Sequence, residues 1–541
     1  MHGTFIGYLY ILLAILFLVM LAGKLKIAYP IVLVLGGLAL SFVPGLPNIQ
    51  IDPDLIFIIF LPPLLYEAAW QTSWKDFWKW RRVISSFAFL IVIVTACVVA
   101  FVSSSLIPGF TLALGFLLGG IVSPPDAVSA TTILRNIKVP KRLITIVEGE
   151  SLLNDASSLV VFRFALVAVE SGKFVFHQAT LSFFIVIIMG IVTGIVIALI
   201  FYAIHRWLPT TANIDIILTF ITPYMMYIVA EQFHFSGVLA VVSGGLFLSI
   251  RNHQFLSQRS RIQGVNVWST IAFAMNGLIF MLIGLELPFI VGQLGPVKLS
   301  DAIRYSLIIS FVLIITRLIC TFGAALFTRV ISHVITTADS NPSMKDSFIF
   351  GWAGMRGVVS LAAALSIPLY LADGKDFPQR NLILFITFVV ILVTLVFQGL
   401  TLPWLVRIVK MEEKDYLIPH AEQEMIVRRK MSKAALNLLN EKYQTEVNRN
   451  GLLRSLKLKM ESDVKMLERL QNSEPDDNIA EEFFTEYYII YQDVIRQQRD
   501  LLHKMNTKAE IEEEIVRKHL ALLDMEQEKM RQIFNDQPEV S

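Results

Sequence analysis

Two carboxylates lie inside one apolar stretch of the sequence, in the run ESLLND that begins at Glu150 and ends at Asp155. The stretch continues to Val167, which predicts a helix long enough to cross a bilayer. Ionisable side chains at membrane depth are costly, and by default they mark an ion or proton pathway. On a helix Glu150 and Asp155 lie roughly 140° apart. Ser151 shares the face of Asp155 and Asn154 shares that of Glu150, so the spacing indicates separate roles for the two carboxylates.

A second polar feature interrupts the apolar stretch at 111–133. The run from Ser123 to Asp126 places Pro124 and Pro125 in the middle of this stretch. Consecutive prolines stop a continuous helix, and the carbonyls they leave without donors must face protein, water or an ion rather than lipid. A proline kink without a function is the alternative, but the paired prolines and the adjacent carboxylate favour a functional break.

A third feature is an arginine between glycines, in the run Gly351 to Gly357 with Gly354 at its centre. Arg356 lies about 15 Å from the nearer end of its apolar stretch, close to the midplane of a bilayer. A guanidinium at that depth requires a carboxylate partner. The glycines loosen the helix or allow a close backbone approach. A small-residue packing seam is the alternative for the glycines, but it leaves the arginine unexplained.

The composition shows which kind of protein carries these features. The chain has 541 residues, of which 55% are hydrophobic and 17% are charged, and its mean hydropathy is +0.63. Such a chain is too apolar for a soluble globular protein. The apolar stretches occupy residues 1–410, whereas 411–541 is rich in charged residues and glutamine. The sequence therefore predicts an all-α polytopic membrane domain followed by a helical cytoplasmic tail, with no nucleic-acid partner.

Apolar segments of spanning length predict about thirteen transmembrane helices. Their approximate bounds are 5–22, 28–44, 54–70, 83–106, 111–133, 143–169, 179–204, 213–231, 235–250, 267–291, 302–328, 346–371 and 381–406. Alternate loops carry most of the basic residues, which places those loops in the cytoplasm by the positive-inside rule. These residues are Lys24, Lys26, Lys75, Lys79, Arg81, Arg82, Arg135, Lys138, Lys141, Arg142, Arg206, Arg251, Arg259, Arg261, Arg329 and Lys345. We expect an external N-terminus and a cytoplasmic C-terminus in the cell membrane.

Depth estimates bring Asp126, Glu150, Asp155 and Arg356 to one layer of the membrane. Three negative charges against one positive charge suit a cation or a proton, although buried pairs that only hold the bundle together are the alternative. The two interrupted spans run in opposite directions, within triplets of opposite topology. Paired interrupted spans in inverted repeats are typical of the binding site of a secondary transporter. In that arrangement Asp126 would neutralise positive half-helix ends and Arg356 negative ones.

These motifs resemble those of the monovalent cation:proton antiporter-1 family, the bacterial sodium/proton antiporters that are related to eukaryotic sodium/proton exchangers. The strongest resemblance is the run GESLLND that begins at Gly149, together with MRG around Arg356 and SPPD at Ser123. Supporting runs are LPPLL at Leu61 and FMLIG at Phe280. They extend the resemblance over nearly all of residues 1–410.

The resemblance implies a secondary transporter, not an enzyme, that exchanges a monovalent cation for protons by alternating access. Asp155 would bind cation and proton in turn, with Ser151 as a neighbouring oxygen ligand and Asn154 orienting the site. Arg356 would pair with Glu150 in a structural salt bridge. No cofactor is implied beyond the transported ions. The resemblance also implies a homodimer in membrane lipid, with a core domain at approximately 83–169 and 302–406 and a scaffold and dimer domain at approximately 5–70 and 179–291.

The sequence departs from the family at the break in the fifth span, where many relatives have threonine at the position of Pro125. Ser123, Ser129 or a backbone carbonyl would then supply the missing oxygen. Oxygen ligands suit a hard cation such as sodium, with potassium and lithium also open. A single shared carboxylate, Asp155, predicts one-for-one electroneutral exchange, whereas a titrating Asp126 would allow electrogenic exchange.

Other charged residues and functions have simpler interpretations. Arg317 is predicted to pair structurally and His205 to lie at the membrane interface, while Glu148 is predicted to be solvated. A cation channel would favour a continuous pore and a repeated filter loop, which the sequence lacks. An intramembrane aspartyl protease would leave Arg356 and Glu150 unexplained. The tail is predicted to form helices at roughly 416–446, 452–472, 480–505 and 508–533, with turns at 448–451 and 473–477. Regulatory contacts or dimer stabilisation through the tail and a passive extension are the alternatives for its role.

Overall fold

The computed structural model consists of helices joined by short connections throughout the residues it describes. Those residues are 2–43, 58–135, 137, 139–172, 176–295, 297–333, 339, 341–371, 374–411, 420–472, 477–505 and 513–534. They belong to two units, Met1–Asp415 and Tyr416–Ser541. The division lies close to the point where the composition changes from apolar to charged.

The first unit contains the apolar helices. In chain order they are α1 (His2–Leu25), α2 (Tyr29–Leu40), α3 (Leu61–Gln71), α4 (Trp74–Ser85), α5 (Val92–Leu106), α6 (Leu112–Val122), α7 (Ala127–Leu134), α8 (Lys141–Ser171), α9 (Phe176–Trp207), α10 (Ala212–Gln232), α11 (Gly237–Phe255), α12 (Gln258–Leu285), α13 (Leu287–Gly292), α14 (Leu299–Ile331), α15 (Met344–Trp352), α16 (Val358–Leu365), α17 (Arg380–Val393) and α18 (Gly399–Val409).

Within the described residues, eight helical segments are long and apolar enough to cross a membrane, and two shorter apolar helices precede them. The chain is therefore a multi-pass membrane protein with an all-helical membrane unit. The predicted count of thirteen spans stays a prediction. The start of the third predicted span, residues 54–57, lies outside the described residues.

Both predicted interruptions are confirmed. α6 ends at Val122 and α7 begins at Ala127, because the two intervening prolines cannot continue the helix. α15 ends at Trp352 and α16 begins at Val358, with two of the predicted glycines in the connection. Each apolar stretch is thus divided into two short half-helices at mid-length, and the ends of these half-helices need partners.

Two π-helical segments were not predicted. Ser86–Ile91 joins α4 to α5, and Thr394–Gln398 joins α17 to α18. A π-helical turn adds a residue to the helix and often lies at a functional position. The second segment begins with Thr394, whose hydroxyl accepts a hydrogen bond from the backbone N–H of Arg356 in the connection between α15 and α16.

The long helix α8 lies against the broken spans and against their neighbours. It packs against α6 and α7 on one side and against α4 on another. A separate apolar cluster is formed by α3, α9, α10 and α11, where Tyr66, Ala198, Met226 and Leu239 are buried. The helix that carries Glu150 and Asp155 therefore lies between the two breaks and this second cluster.

The second unit contains α19 (His420–Lys442), α20 (Gln444–Arg449), α21 (Gly451–Asn472), α22 (Asp477–Met505) and α23 (Glu513–Phe534). The turn predicted at 448–451 is reduced to Asn450, whose side chain accepts a hydrogen bond from the backbone N–H of Leu452 at 2.9 Å. The helix predicted at 416–446 is divided at Tyr443. The residues of the second predicted turn, 473–476, lie outside the described residues, as do 416–419 and 508–512, where two tail helices were predicted to start. Ion pairs between helices of this unit include Lys433 with Glu468, at 2.6 Å between Nζ and Oε1.

Candidate functional site

The two broken spans cross each other at their interruptions. The backbone N–H of Asp126 donates to the carbonyl of Met355 at 2.7 Å. At the same crossing Gly357 lies so close to Asp126 that a Cβ atom there would be 2.6 Å from the Asp126 side chain. Only glycine permits this approach without movement of the chain. The glycines and prolines of the two breaks therefore bring two sets of half-helix ends to one point.

Asp126 neutralises the positive end of α7. Its carboxylate accepts hydrogen bonds from the backbone N–H groups of Val128 at 3.0 Å and Ser129 at 3.3 Å, and from the Ser129 hydroxyl at 2.7 Å. These are the bonds of an N-cap residue, and they place negative charge against the partial positive charge of the helix. This part of the predicted charge arrangement is confirmed.

Arg356 neutralises the opposite ends of the half-helices. Its Nε donates to the carbonyl of Val122 at the end of α6, at 2.6 Å, and its Nη1 donates to the carbonyl of Gly354 at 3.0 Å. The backbone N–H of Arg356 donates to the Thr394 hydroxyl at 3.0 Å. The guanidinium thus bonds a carbonyl at the C-terminal end of α6, as predicted for a negative end, and a carbonyl in the connection between α15 and α16.

The predicted salt bridge between Glu150 and Arg356 is wrong. Glu150 is instead bonded by Arg317 of α14 in a two-pronged pair, with both N–O distances at 2.8 Å. Both side chains are almost fully buried, with exposures of 1% and 4%. Arg317 reaches Glu150 because it passes over Gly354, where a Cβ would lie 2.2 Å from its side chain. Arg317 was correctly predicted to pair structurally, but depth alone could not choose between two buried arginines.

Asn154 and Ser151 attach α8 to the break in the fifth span. The Asn154 Nδ2 donates to the carbonyl of Pro125 at 2.8 Å, and the Ser151 hydroxyl accepts from the backbone N–H of Ala127 at 3.2 Å. The buried Oδ1 of Asn154 has no hydrogen-bond partner among the described residues. The predicted role of Asn154 in orienting the site is supported by this bond, while the ligand role of Ser151 stays a prediction.

Asp155 lies at the wall of a cavity of about 320 Å³ that Asp126 and Ser151 also line. Its side chain is 7% exposed. No hydrogen bond or ion pair reaches its carboxylate from the residues that the structure describes. A buried carboxylate without donors is costly as an anion, so a proton or a cation must neutralise it. Among Asp126, Glu150, Asp155 and Arg356, Asp155 is therefore the one whose side chain has no hydrogen bond or ion pair from the described residues.

The cavity leads from Asp155 toward the end of the unit that carries the N-terminus of α8. Its outer part is lined by Glu67 and Gln71 of α3 and by Arg135 and Glu148, which form an ion pair at 2.7 Å. Glu148 was predicted to be solvated rather than part of the site, and it lies at this outer part, with a side chain that is 24% exposed. The cavity walls thus combine one face of α3 with the face of α8 that carries Ser151 and Asp155.

The three oxygens predicted to replace the missing threonine at position 125 lie in different surroundings. The Pro125 carbonyl accepts from Asn154, and the Ser129 hydroxyl donates to Asp126. Ser123 is buried and does not line the cavity, although Pro124 and Pro125 do. No cluster of three or more histidine, cysteine, aspartate or glutamate side chains suited to a metal ion occurs within the described ranges. A cation here would rely on the two carboxylates and neutral oxygens.

His205 lies in the last turn of α9, and its predicted position at the membrane interface stays a prediction. Its side chain is buried, and its Nδ1 lies 2.9 Å from the Asp215 carboxylate, which also accepts from the Ser260 hydroxyl at 2.7 Å. Its charged partner Asp215 is separated from it by a loop, and the apolar residues around both gave no sign of the pair. A further ion pair joins Arg163 of α8 to Glu231 of α10.

Comparison with known proteins shows which family the chain matches. The family described as "Sodium/hydrogen exchanger, transmembrane" matches residues 11–408. A Bacillus subtilis protein named "Sodium, potassium, lithium and rubidium/H(+) antiporter" is 30% identical over 505 residues, covering 84% of this chain and 73% of that protein. A Synechocystis protein named "Low-affinity Na(+)/H(+) antiporter NhaS1" is 34% identical, covering 71% of this chain and 69% of that protein.

A Bacillus pumilus protein with the same name as the Bacillus subtilis relative is 33% identical over 420 residues. This match covers 75% of the present chain and 61% of the Bacillus pumilus protein. Among solved structures, the sodium proton antiporter MjNhaP1 from Methanocaldococcus jannaschii has a TM-score of 0.58 at 19% identity. That match covers 76% of this chain and 100% of the archaeal chain, and at this identity it shows a shared fold.

Proposed function

Because the chain belongs to the sodium/hydrogen exchanger family, we propose that it exchanges a monovalent cation for protons across a membrane at the Asp155 site. The single observation that carries this proposal is the Asp155 carboxylate, which is buried at a cavity wall without a donor among the described residues. The other charged groups of the layer already have protein partners. Glu150 is bonded by Arg317, Asp126 caps α7, and Arg356 bonds half-helix carbonyls.

Proton and cation compete for Asp155 in this mechanism. Desolvation makes the bare carboxylate unfavourable, so either occupant neutralises it and the two exclude each other. The Ser151 hydroxyl, one turn away on the same face, supplies a neutral oxygen to the cation. With one carboxylate carrying either occupant, the exchange is one for one and electroneutral.

Sodium is the proposed physiological cation. Hard oxygen ligands suit it, and the names of the Bacillus and Synechocystis relatives include sodium. Potassium, lithium and rubidium appear in the name of the Bacillus subtilis relative, so the selectivity of this chain is a matter for measurement. No cofactor takes part beyond the transported ions.

The remaining features of the proposal concern placement. Loop charges favour an external N-terminus and a cytoplasmic C-terminus in the cell membrane. On that orientation the cavity beside Asp155 opens to the cytoplasm, which corresponds to the inward-facing state of an alternating-access cycle. The thirteen spans, their inverted repeats and a homodimer complete the proposed architecture.

The test is cation-driven proton movement in proteoliposomes that contain the purified chain. Asp155→Asn keeps the size of the side chain and removes its proton-binding charge, so exchange should fall to the background of protein-free vesicles. Glu170→Gln is the matched control, since Glu170 is an exposed carboxylate at the far end of the same helix. Exchange by Glu170→Gln should equal that of the unmodified protein.

Retained exchange in Asp155→Asn would contradict the proposal. The same vesicles separate an antiporter from a cation channel, because an antiporter couples every cation to a proton, whereas a channel carries cation current without proton counterflow. An imposed membrane potential that leaves the exchange rate unchanged supports electroneutral coupling.

A further inference from the structure

A second cavity, of about 990 Å³, lies apart from the ion site. Its walls are α4, the following π-helical segment, the start of α5 and the last part of α14. The first turns of α8 and α15 close one end. We call it the basic cavity, and its principal lining residues are Lys79, Arg81, Arg82, Phe87, Leu90, Ile91, Val94, Arg142, Cys320, Gly323, Phe327 and Ile331. None of the proposed ion-site residues lines it.

One end of the basic cavity is positively charged. Four basic side chains line this end, those of Lys79, Arg81, Arg82 and Arg142, together with two acidic ones. Both acidic residues, Asp339 and Asp346, bond Arg142. The other three cations lie on α4, where two of them lie over indole rings. Lys79, Arg82 and Arg142 all have partners within the protein. The side chains that line this end nevertheless include four cations against two carboxylates, so their formal charges sum to an excess of positive charge.

The charged end lies at the depth of lipid headgroups. Trp74 and Trp78 are exposed on the same helix, with exposed fractions of 40% and 53%; Trp78 directly precedes Lys79 and Trp74 lies one turn further back. Exposed tryptophans followed by basic side chains mark the boundary between hydrocarbon and water. The cations of the cavity therefore lie where the phosphate of a phospholipid would be.

The rest of the basic cavity is an apolar channel that is open at the side. Leu90, Val94 and Phe327 line it and are also exposed on the apolar surface of the unit, with exposed fractions of 60%, 37% and 64%. From Arg82 to Val94 the helix rises about 18 Å, and one leaflet of hydrocarbon is about 15 Å thick. On the opposite wall, Cys320 to Ile331 spans about 16 Å. Both walls thus extend from headgroup depth through one leaflet.

We propose that the basic cavity binds an anionic phospholipid, with the headgroup phosphate at Lys79 and Arg82 and an acyl chain along Leu90, Val94 and Phe327. A soluble anion would use the cations but would leave the apolar channel without a function. A zwitterionic lipid would fill the channel without matching the excess of positive charge. The combination of both walls selects an anionic lipid, and this inference does not depend on the proposed transport activity.

The headgroup is tested by native mass spectrometry of the full-length chain in detergent, titrated with phosphatidylglycerol or phosphatidylcholine. Phosphatidylglycerol should be retained in preference. Because each basic side chain at an anionic lipid surface contributes about a fivefold factor, Lys79→Gln combined with Arg82→Gln should weaken its binding roughly 30-fold. Lys75→Gln with Arg259→Gln removes two exposed positive charges outside the cavity and should leave binding unchanged.

The acyl channel is tested by filling it. A Cβ at Gly323 would have no atom within 4 Å, so Gly323→Leu places a side chain in the cavity without a clash, and it should reduce phosphatidylglycerol retention. Gly264→Leu, at an equally open helical position outside the cavity, is the control. Equal retention of the two lipids, unchanged binding in the charge variant or in Gly323→Leu, or displacement of the lipid by millimolar inorganic phosphate would overturn the proposal.

Discussion

Arg317 and Arg356 are both buried in the membrane unit, and each has partners of a different kind. Arg317 forms a charged pair with Glu150, whereas Arg356 donates to neutral carbonyls at half-helix ends. A charged pair is buried at a high desolvation cost and is tolerated only when its geometry is nearly ideal. Removing one member should therefore cost far more than the pair itself contributes.

Arg317→Ala should lower the free energy of unfolding by roughly 3–5 kcal/mol, because the Glu150 carboxylate would be left buried without its counter-charge. Thermal unfolding of the detergent-purified protein measures this loss. Arg304→Ala, at an exposed position of the same helix, should have little effect. Arg317→Leu combined with Glu150→Leu should recover much of the stability.

If the double variant were no more stable than Arg317→Ala, the loss would come from packing rather than from an uncompensated charge.

For single residues, the sequence predicted positions better than it predicted partners. Helical rise alone predicted that Asp126, Glu150, Asp155 and Arg356 lie at a similar depth. The partner of Glu150 did not follow, because a linear sequence does not show that Gly354 clears the path of Arg317.

At the scale of the elements, the two broken spans form one crossing whose half-helix ends are neutralised in pairs. Prolines at positions 124 and 125 and the glycines around Arg356 made both breaks predictable, since these residue types interrupt helices by known mechanisms. The π-helical segments were not predictable in the same way. Neither Ser86–Ile91 nor Thr394–Gln398 contains a residue type that distinguishes a π-turn from an ordinary helix.

Gly357→Ala should prevent the crossing from closing, because the added methyl group would lie 2.6 Å from the Asp126 side chain. Overpacking of this kind typically costs about 1–3 kcal/mol, and here it also moves a carboxylate that lines the ion cavity. We expect a lower unfolding temperature and weaker cation-driven proton movement in proteoliposomes.

The control for this element is Gly264→Ala, where a Cβ meets no atom within 4 Å and alanine favours the helix. Wild-type stability and exchange in Gly357→Ala would show that the two spans separate more easily than their contact suggests. Loss of both properties in Gly264→Ala would show a general sensitivity to helix substitution.

In the membrane unit as a whole, the cavity beside Asp155 opens at one end of the unit. Toward the other end of the unit, an ion pair joins α8 to α10. Arg163 of α8 bonds Glu231 of α10 on the side opposite to the cavity mouth at Arg135 and Glu148. The pair is partly exposed, so its contribution to stability is modest. The pair nevertheless links α8, the helix that carries Asp155, to the cluster formed by α3, α9, α10 and α11.

Ala68→Cys should react with a membrane-impermeant maleimide only from the cytoplasmic side, because Ala68 lines the cavity and is half-buried there. The background for this test replaces the two native cysteines by Cys97→Ser and Cys320→Ser. Inside-out vesicles and intact cells provide the two sides. Ser105 is exposed near the C-terminal end of α5, which the proposed orientation places outside. Ser105→Cys should therefore react only from outside.

Labelling of both positions from the same side would refute the proposed orientation of the cavity.

The sequence could predict the membrane class and the charged tail at this scale, because composition and loop charge are summed over many residues. It could not predict the buried pair of His205 and Asp215, whose partners are separated by a loop and surrounded by apolar residues.

The backbone bond from Asp126 to Met355 has a mechanical consequence. It fastens the two broken spans to each other beside the bond from Asn154, the neighbour of Asp155 on α8, to the carbonyl of Pro125. Because an N–H of one break is bonded to a carbonyl of the other, we expect the two broken spans to shift together as a single rigid unit when the proposed exchange takes place.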